Sequence, residues 1–201
     1  NYYPAGWEKD LITSITGIEV PAGKMPAEYG VMVFNSTSLL AIHNGIKYNL
    51  PILEREISLV GDAFNTPTNL KVKIGTHVPT IVEKIGGYKE GAESNVYIVG
   101  GPMMGTSVKS DDIVVSKAFS TIIATKPVEA KEEPCINCGT CVYSCPAGLQ
   151  PVNIMNAMKA RDKEKIEKLN IRSCIECGMC SYVCTSKIDL TKHMRRSKRM
   201  I

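Results

Sequence analysis

No stretch of this 201-residue chain approaches the ~18 consecutive apolar residues that a membrane-crossing helix requires, so no such helix is expected within it. Histidine is scarce. His43, His77 and His193 stand far apart, and nothing around them suggests a metal ligand or a general base. A glycine-rich nucleotide loop is missing too. Gly100, Gly101 and Gly105 of GGPMMG match neither G-x-G-x-x-G nor the P-loop spacing. They are expected to form a turn that packs Met103 and Met104 against a neighbour. Strong charge is also absent: the formal net charge is +4, which gives little support to a nucleic-acid partner. No signal peptide is apparent, which disfavours a disulfide framework of the secreted kind.

Cysteine, by contrast, is concentrated. All eight cysteines fall in two segments, CINCGTCVYSC from Cys135 to Cys145 and CIECGMCSYVC from Cys174 to Cys184. Each reads C-x2-C-x2-C-x3-C, and seven of the eleven positions are identical, an internal repeat offset by 39 residues. Three thiolates spaced by two residues can wrap one face of an iron–sulfur cube. The fourth, three residues on, is carried away by a following helix toward a second cube. Zinc would need two C-x2-C pairs around one tetrahedral ion, leaving the third cysteine of each run redundant. Two [4Fe–4S] clusters are therefore expected, with crossed ligation. Cys135, Cys138, Cys141 and Cys184 would hold one, and Cys174, Cys177, Cys180 and Cys145 the other. Each oxidised cube with four thiolates carries a charge of about −2, so two would roughly cancel the +4 of the chain. Assembly on reduced thiols points to the cytosol or a cytosol-facing surface.

The remaining patterns divide the chain into an α+β assembly. WEKDLITSIT has helical spacing in Leu11, Ile12 and Ile15, with Gly17 as its stop. Val31 to Phe34 reads as a short buried strand. Ser36 is placed to cap a helix that stops near Gly45. From Ile52 the texture changes. REISLVGDAF and NLKVKIG alternate like two strands around a turn at Asn65–Pro67. A short helix capped by Thr76 follows, with Pro79 in its first turn and Gly86–Gly87 at its end. NVYIVGG supplies another strand and IVVSKAFSTIIAT one or two more, which suggests a β-grasp-like module over residues 51–125. The proline-framed, charged stretch 126–134 reads as a linker. Between the cysteine repeats Ile154, Met155, Met158, Ile166 and Leu169 mark helical stripes. That favours the all-helical dicluster ferredoxin type over residues 135–201. The tail with Lys192, Arg195, Arg196, Lys198 and Arg199 reads first as a solvated helix end. Docking to an acidic partner or to anionic lipid headgroups is the alternative.

YPAGWEKDLI, EVPAGKMPAEYGVMVFN, LEREISLVGD, VYIVGGPMMG and the two cysteine repeats, in that order, resemble RnfC, the peripheral NADH-facing subunit of the ion-translocating Rnf electron-transport complex. The resemblance implies three parts. Residues 1–50 would be the C-terminal part of an α/β domain similar to the flavoprotein subunit of respiratory complex I, which binds FMN and NADH. Residues 51–125 would be a soluble-ligand-binding β-grasp domain, and residues 135–201 the dicluster domain. It also implies that the chain is the C-terminal part of a longer protein, with the glycine-rich nucleotide loop upstream. Tyr3, Gly6 and Glu8 match the family's tyrosine–glycine–acid stretch beside flavin and nicotinamide, and Asn35 and Ser38 match its strand-to-helix turn near the flavin. On residue chemistry alone Glu8 is equally a helix-start carboxylate and Asn35 a turn residue.

Function follows as an expectation from these pieces. The chain would be an electron-transfer subunit, relaying electrons between NADH with FMN and the partner subunits of a membrane redox complex, and indirectly ferredoxin. It would sit peripherally on the cytoplasmic face of the bacterial plasma membrane. No residue here is assigned a catalytic role, and FMN would bind only the complete protein. Two other readings stay open. One is a soluble flavo-iron–sulfur reductase, like the cobalamin reductase of propanediol-utilisation microcompartments. The other is a non-enzymatic ligand-binding module braced by a structural metal.

Overall fold

The computed structural model describes residues 3–91, 95–127 and 131–201; of the expected linker, residues 128–130 lie outside them. The chain forms two compact units, one joining Asn1–Val33 to Ala130–Ile201 and the other made of Phe34–Glu129.

In the first unit, helix α1 spans Glu8–Thr16 and ends where Gly17, at φ 74°, returns its N–H to the carbonyl of Thr13. Only Ile12 of its apolar residues is buried; Ile15 faces solvent. A 3-10 turn follows at Pro26–Tyr29. The cysteine-bearing part is entirely helical. It comprises α4 (Thr140–Tyr143), α5 (Pro151–Lys159), α6 (Lys163–Lys168), α7 (Met179–Tyr182) and α8 (Leu190–Lys198). The expected stripes hold. Ile154, Met155 and Ile166 are buried, and Met158 and Leu169 are half-buried beside them. α5 packs on α8 and α4 touches α7.

The second unit opens with α2 (Ser36–Tyr48) and holds α3 (Val78–Lys84) and one sheet. The strands are β1 (Glu54–Val60), β2 (Thr68–Lys73), β3 (Val96–Val99), β4 (Thr106–Val108) and β5 (Thr121–Thr125). They lie in the order β2-β1-β5-β3-β4. The β1–β5 pair is parallel, with Leu59 opposite Ile122, and the other pairs are antiparallel. The parallel centre follows from the intervening chain, which crosses the sheet through α3 before β5 returns beside β1. Ile57, Leu59, Ile122 and Ala124 of the central strands bury against Val78, Ile81 and Val82 of α3, with Phe64, Val115 and Phe119 closing the core. Phe64 stacks on Tyr88, ring centroids 5.3 Å apart. The Tyr88 hydroxyl donates to Asp111 at 2.6 Å; burial, then this bond, pushes its pKa far up.

Several local expectations are corrected. Residues 31–35 form no strand, since a strand is defined by a pairing ladder and the one sheet found among the described residues draws only on residues 54–125. Asn35, not Ser36, caps α2: its Oδ1 accepts from the Thr37 N–H at 3.0 Å. That helix runs past Gly45 to Tyr48 and ends at Asn49, whose φ of 54° supplies the left-handed stop. His77 occupies the N-cap position of α3, so Thr76 does not cap it. The leading N–H of Val78 is satisfied instead by the carbonyl of Ile113 at 2.9 Å. The GGPMMG turn leaves Met104 80% exposed. Its glycines serve close approach: a Cβ on Gly105 would lie 2.5 Å from the Gly101 carbonyl oxygen. The short β4 that follows has no apolar run to announce it.

Candidate metal centres

The two cysteine segments fold as copies. In each, a residue with left-handed backbone follows the first cysteine by two, Asn137 (φ 55°) and Glu176 (φ 57°). Gly139 and Gly178, at φ 78° and 80°, then begin α4 and α7. These turns aim backbone N–H groups at sulfur. The N–H of Asn137 donates to Cys135 Sγ and that of Glu176 to Cys174 Sγ, both at 3.4 Å. Past the fourth cysteine, the N–H of Leu149 donates to Cys145 Sγ and that of Ile188 to Cys184 Sγ, again both at 3.4 Å. The same 39-residue offset carries α5, Pro151–Lys159, onto α8, Leu190–Lys198.

Two cavities result. Cys135, Cys138, Cys141 and Cys184 line one, together with Val152 and Leu190. Cys145, Cys174, Cys177 and Cys180 line the other, together with Leu149 and Met194. The fourth cysteine of each segment thus faces the cavity built by the other segment. Among the described residues no three Cys, His, Asp or Glu side chains gather as a single metal ion would need. Four thiols around an apolar cavity, with N–H donors on their sulfurs, suit a cluster that spreads its ligands over its corners.

The thiols are not equivalent. Cys138 is exposed, and the hydroxyl of Thr140, which donates to its sulfur at 3.3 Å, holds its pKa below the usual thiol range. Burial pushes Cys141 and Cys174 up, and Cys180 up to about 11. Thiols so buried favour the neutral form until a metal replaces the proton. Glu176 lies within the second segment and accepts from Arg195 at 3.0 Å and Lys198 at 2.9 Å. Burial would raise its pKa, but Lys198 and then Arg195 bring it below the ordinary value. Arg195, itself exposed, and Lys198 are thereby paired with Glu176, while Lys192, Arg196 and Arg199 of the basic tail are exposed as a solvated helix end would be.

The five residues matched to the flavin wall are divided between the units. Tyr3, Gly6 and Glu8 lie in the first, Asn35 and Ser38 in the second. Tyr3 donates its hydroxyl to the Cys177 carbonyl, a contact that its sequence position does not announce. Gly6 has open space at its Cβ position, and Glu8 begins α1, exposed. Asn35 is the N-cap of α2, and the Ser38 N–H donates to its carbonyl at 2.9 Å. The hydroxyls of Thr140, Thr185 and Thr191, all near cysteine sulfurs, escaped the sequence reading. A position-by-position alignment of the repeats, in which Thr140 faces Met179, was the signal available. Of the histidines, His77 Nε2 lies 2.7 Å from Asp112 Oδ1.

Comparison with known proteins bears on both parts. Residues 127–185 match the 4Fe-4S dicluster domain, which takes in all eight cysteines, and residues 1–44 match part of the Nuo51 FMN-binding domain. The chain is 40% identical to the C subunit of the Na(+)-translocating ferredoxin:NAD(+) oxidoreductase complex of Acetobacterium woodii, over 99% of its own length. It is 38% identical to the C subunit of the ion-translocating oxidoreductase complex of Rhodobacter capsulatus over 84% of its length, and 38% identical to that of Vibrio cholerae over 85%. Over most of its length it is therefore similar to these RnfC-type C subunits. The chain spans 45%, 33% and 22% of these three relatives respectively. In this chain the match to the FMN-binding domain is partial, whereas the dicluster domain brings two [4Fe–4S] clusters. Among its described residues no helix is long and apolar enough to cross a membrane.

Proposed function

We propose that this chain is the electron-relay part of a peripheral subunit of an ion-translocating oxidoreductase complex. In the complete protein the relay would connect NADH and FMN with partner subunits in the membrane, and through them with ferredoxin. Cys135, Cys138, Cys141 and Cys184 would ligate one cluster, and Cys174, Cys177, Cys180 and Cys145 the other. The observation that carries this reading is the exchange of the fourth cysteine between the two cavities, which makes the pair a single unit. When bound, each cluster supplies a site that takes up and releases one electron.

The chain's own residues do the rest. Their backbone N–H groups and hydroxyls meet the sulfurs, and apolar side chains such as Val152, Leu190, Leu149 and Met194 keep water from the cavities. Tyr3 links the stretch matched to the flavin wall with the loop of Cys177. This supports placing the Cys174 cluster toward the flavin in the complete protein; Tyr3, Gly6 and Glu8, and separately Asn35 and Ser38, are nucleotide-site candidates on the sequence resemblance alone. The strand order β2-β1-β5-β3-β4 with its parallel β1–β5 pair supports a β-grasp, soluble-ligand-binding assignment for residues 51–125.

With only part of the FMN-binding domain matched, residues 1–201 should hold clusters without oxidising NADH. Adding FMN and NADH to the anaerobically reconstituted protein tests this division of labour. The reading expects no stoichiometric flavin binding and no NADH turnover. Tight FMN binding with turnover would show that these residues already complete the nucleotide site.

A further inference from the structure

The 39-residue repeat relates each cage to the other position by position, so every departure from equivalence is a local difference in sulfur environment. Cys138 and Cys177 are counterparts, and they differ most. Cys138 Sγ receives the Thr140 hydroxyl at 3.3 Å and has the Thr185 hydroxyl at 3.8 Å. At the matching places beside Cys177 stand Met179 and Pro146, which line its cavity and carry no donor. No hydrogen bond to Cys177 Sγ is found among the described residues. Cys138 is also exposed to solvent, whereas no cysteine of the other cage is.

One hydroxyl favours the other cage: Thr191 Oγ1 lies 3.7 Å from Cys180 Sγ, where the first cage has Val152. That hydroxyl has a nearer partner in Ser181 Oγ at 2.8 Å, and Ser181 in turn donates to Asp189 at 3.2 Å. The Ser181 proton being committed to Asp189, the Thr191 proton turns to Ser181 and away from sulfur. Lys198 brings positive charge near Cys174, but it is bound, together with Arg195, by the Glu176 carboxylate. Arg195 is moreover half exposed, so water screens what remains.

Donors on a cysteine sulfur and access of water both stabilise the reduced cluster, which carries one more negative charge. Resting on the iron–sulfur reading above, we propose that the two clusters are unequal and that Thr140 and Thr185 set the one held by Cys135, Cys138, Cys141 and Cys184 at the higher reduction potential. The relay then has a built-in slope from the Cys177 side to the Cys138 side. Thr140 acts through the sulfur it bonds and does not take part in any bond-making step.

A redox titration of the cluster-loaded chain, followed by EPR, tests this. Wild type is expected to reduce in two resolved one-electron steps. Thr140→Val should move the upper midpoint down and leave the lower one in place, with iron content unchanged, and Thr140→Ser should restore it. The reciprocal Met179→Thr should raise the lower midpoint toward the upper, so the proposal stays open to test even if Thr140→Val fails to assemble. A single midpoint for both clusters would overturn it, as would Thr140→Val acting on the lower step or on neither. A chain with no cubane signal at all would instead bring down the iron–sulfur reading beneath it.

Discussion

Gly61 shows how tightly single positions are determined. Its φ is 119°, and a Cβ there would stand 2.0 Å from the Ala124 carbonyl oxygen across the β1–β5 join. Gly61→Ala must break that approach and strain the backbone, a loss of roughly 3 kcal/mol. Urea unfolding followed by circular dichroism is the check, and an unchanged midpoint would mean that the join relaxes freely. Leu59, fully buried beneath the same join, is expected to lose about 3 kcal/mol on truncation to Ala through lost contacts and a residual cavity. Neither demand is legible in the sequence. GDAF reads as the end of a strand, and the closeness of Ala124 depends on another strand some sixty residues away. The eight cysteine positions, by contrast, are legible outright, because each loop of two or three residues determines its own sulfur directions. Tyr3 stands out by resemblance alone, and its bond to the Cys177 carbonyl is a tertiary fact that no local pattern contains.

Among elements, the repeat runs further than identity suggests. α5 and α8 share only Met155 with Met194 and Lys159 with Lys198 across the 39-residue offset, and yet they span matching positions. What persists is the buried stripe: Pro151 and Met155 in α5 correspond to Leu190 and Met194 in α8, all buried. The helical period made these helices readable, while the pairing of α5 with α8 needed the fold. The strand expected at residues 31–34 fails for the converse reason, since an apolar run needs a ladder to become one. The exchange of Cys145 and Cys184 between the two helix pairs leads to a specific prediction. Cys184→Ser should impair the cluster of Cys135, Cys138 and Cys141 and spare that of Cys174, Cys177 and Cys180. About four of eight irons should remain, with a single uncoupled EPR species. Loss of the cluster within the mutated segment instead would show that each segment ligates its own cube.

For the molecule as a whole, the two units should respond differently to loss of metal. The unit with the cysteine helices builds its core from α5, α6 and α8 around side chains that also line the cavities, so metal binding and folding are coupled there. The sheet unit has its own core about Ile57, Leu59, Phe64 and Ile122 and holds no cysteine. Removing iron anaerobically with a chelator should therefore melt helical signal and leave the denaturant midpoint of the sheet unit within error. Joint collapse of both would contradict this independence. The most direct test of the central claim is iron and sulfide analysis combined with EPR of the dithionite-reduced chain. The account predicts about eight iron and eight sulfide per chain, with magnetically interacting [4Fe–4S] signals. Stoichiometric zinc with no cubane signal would contradict it.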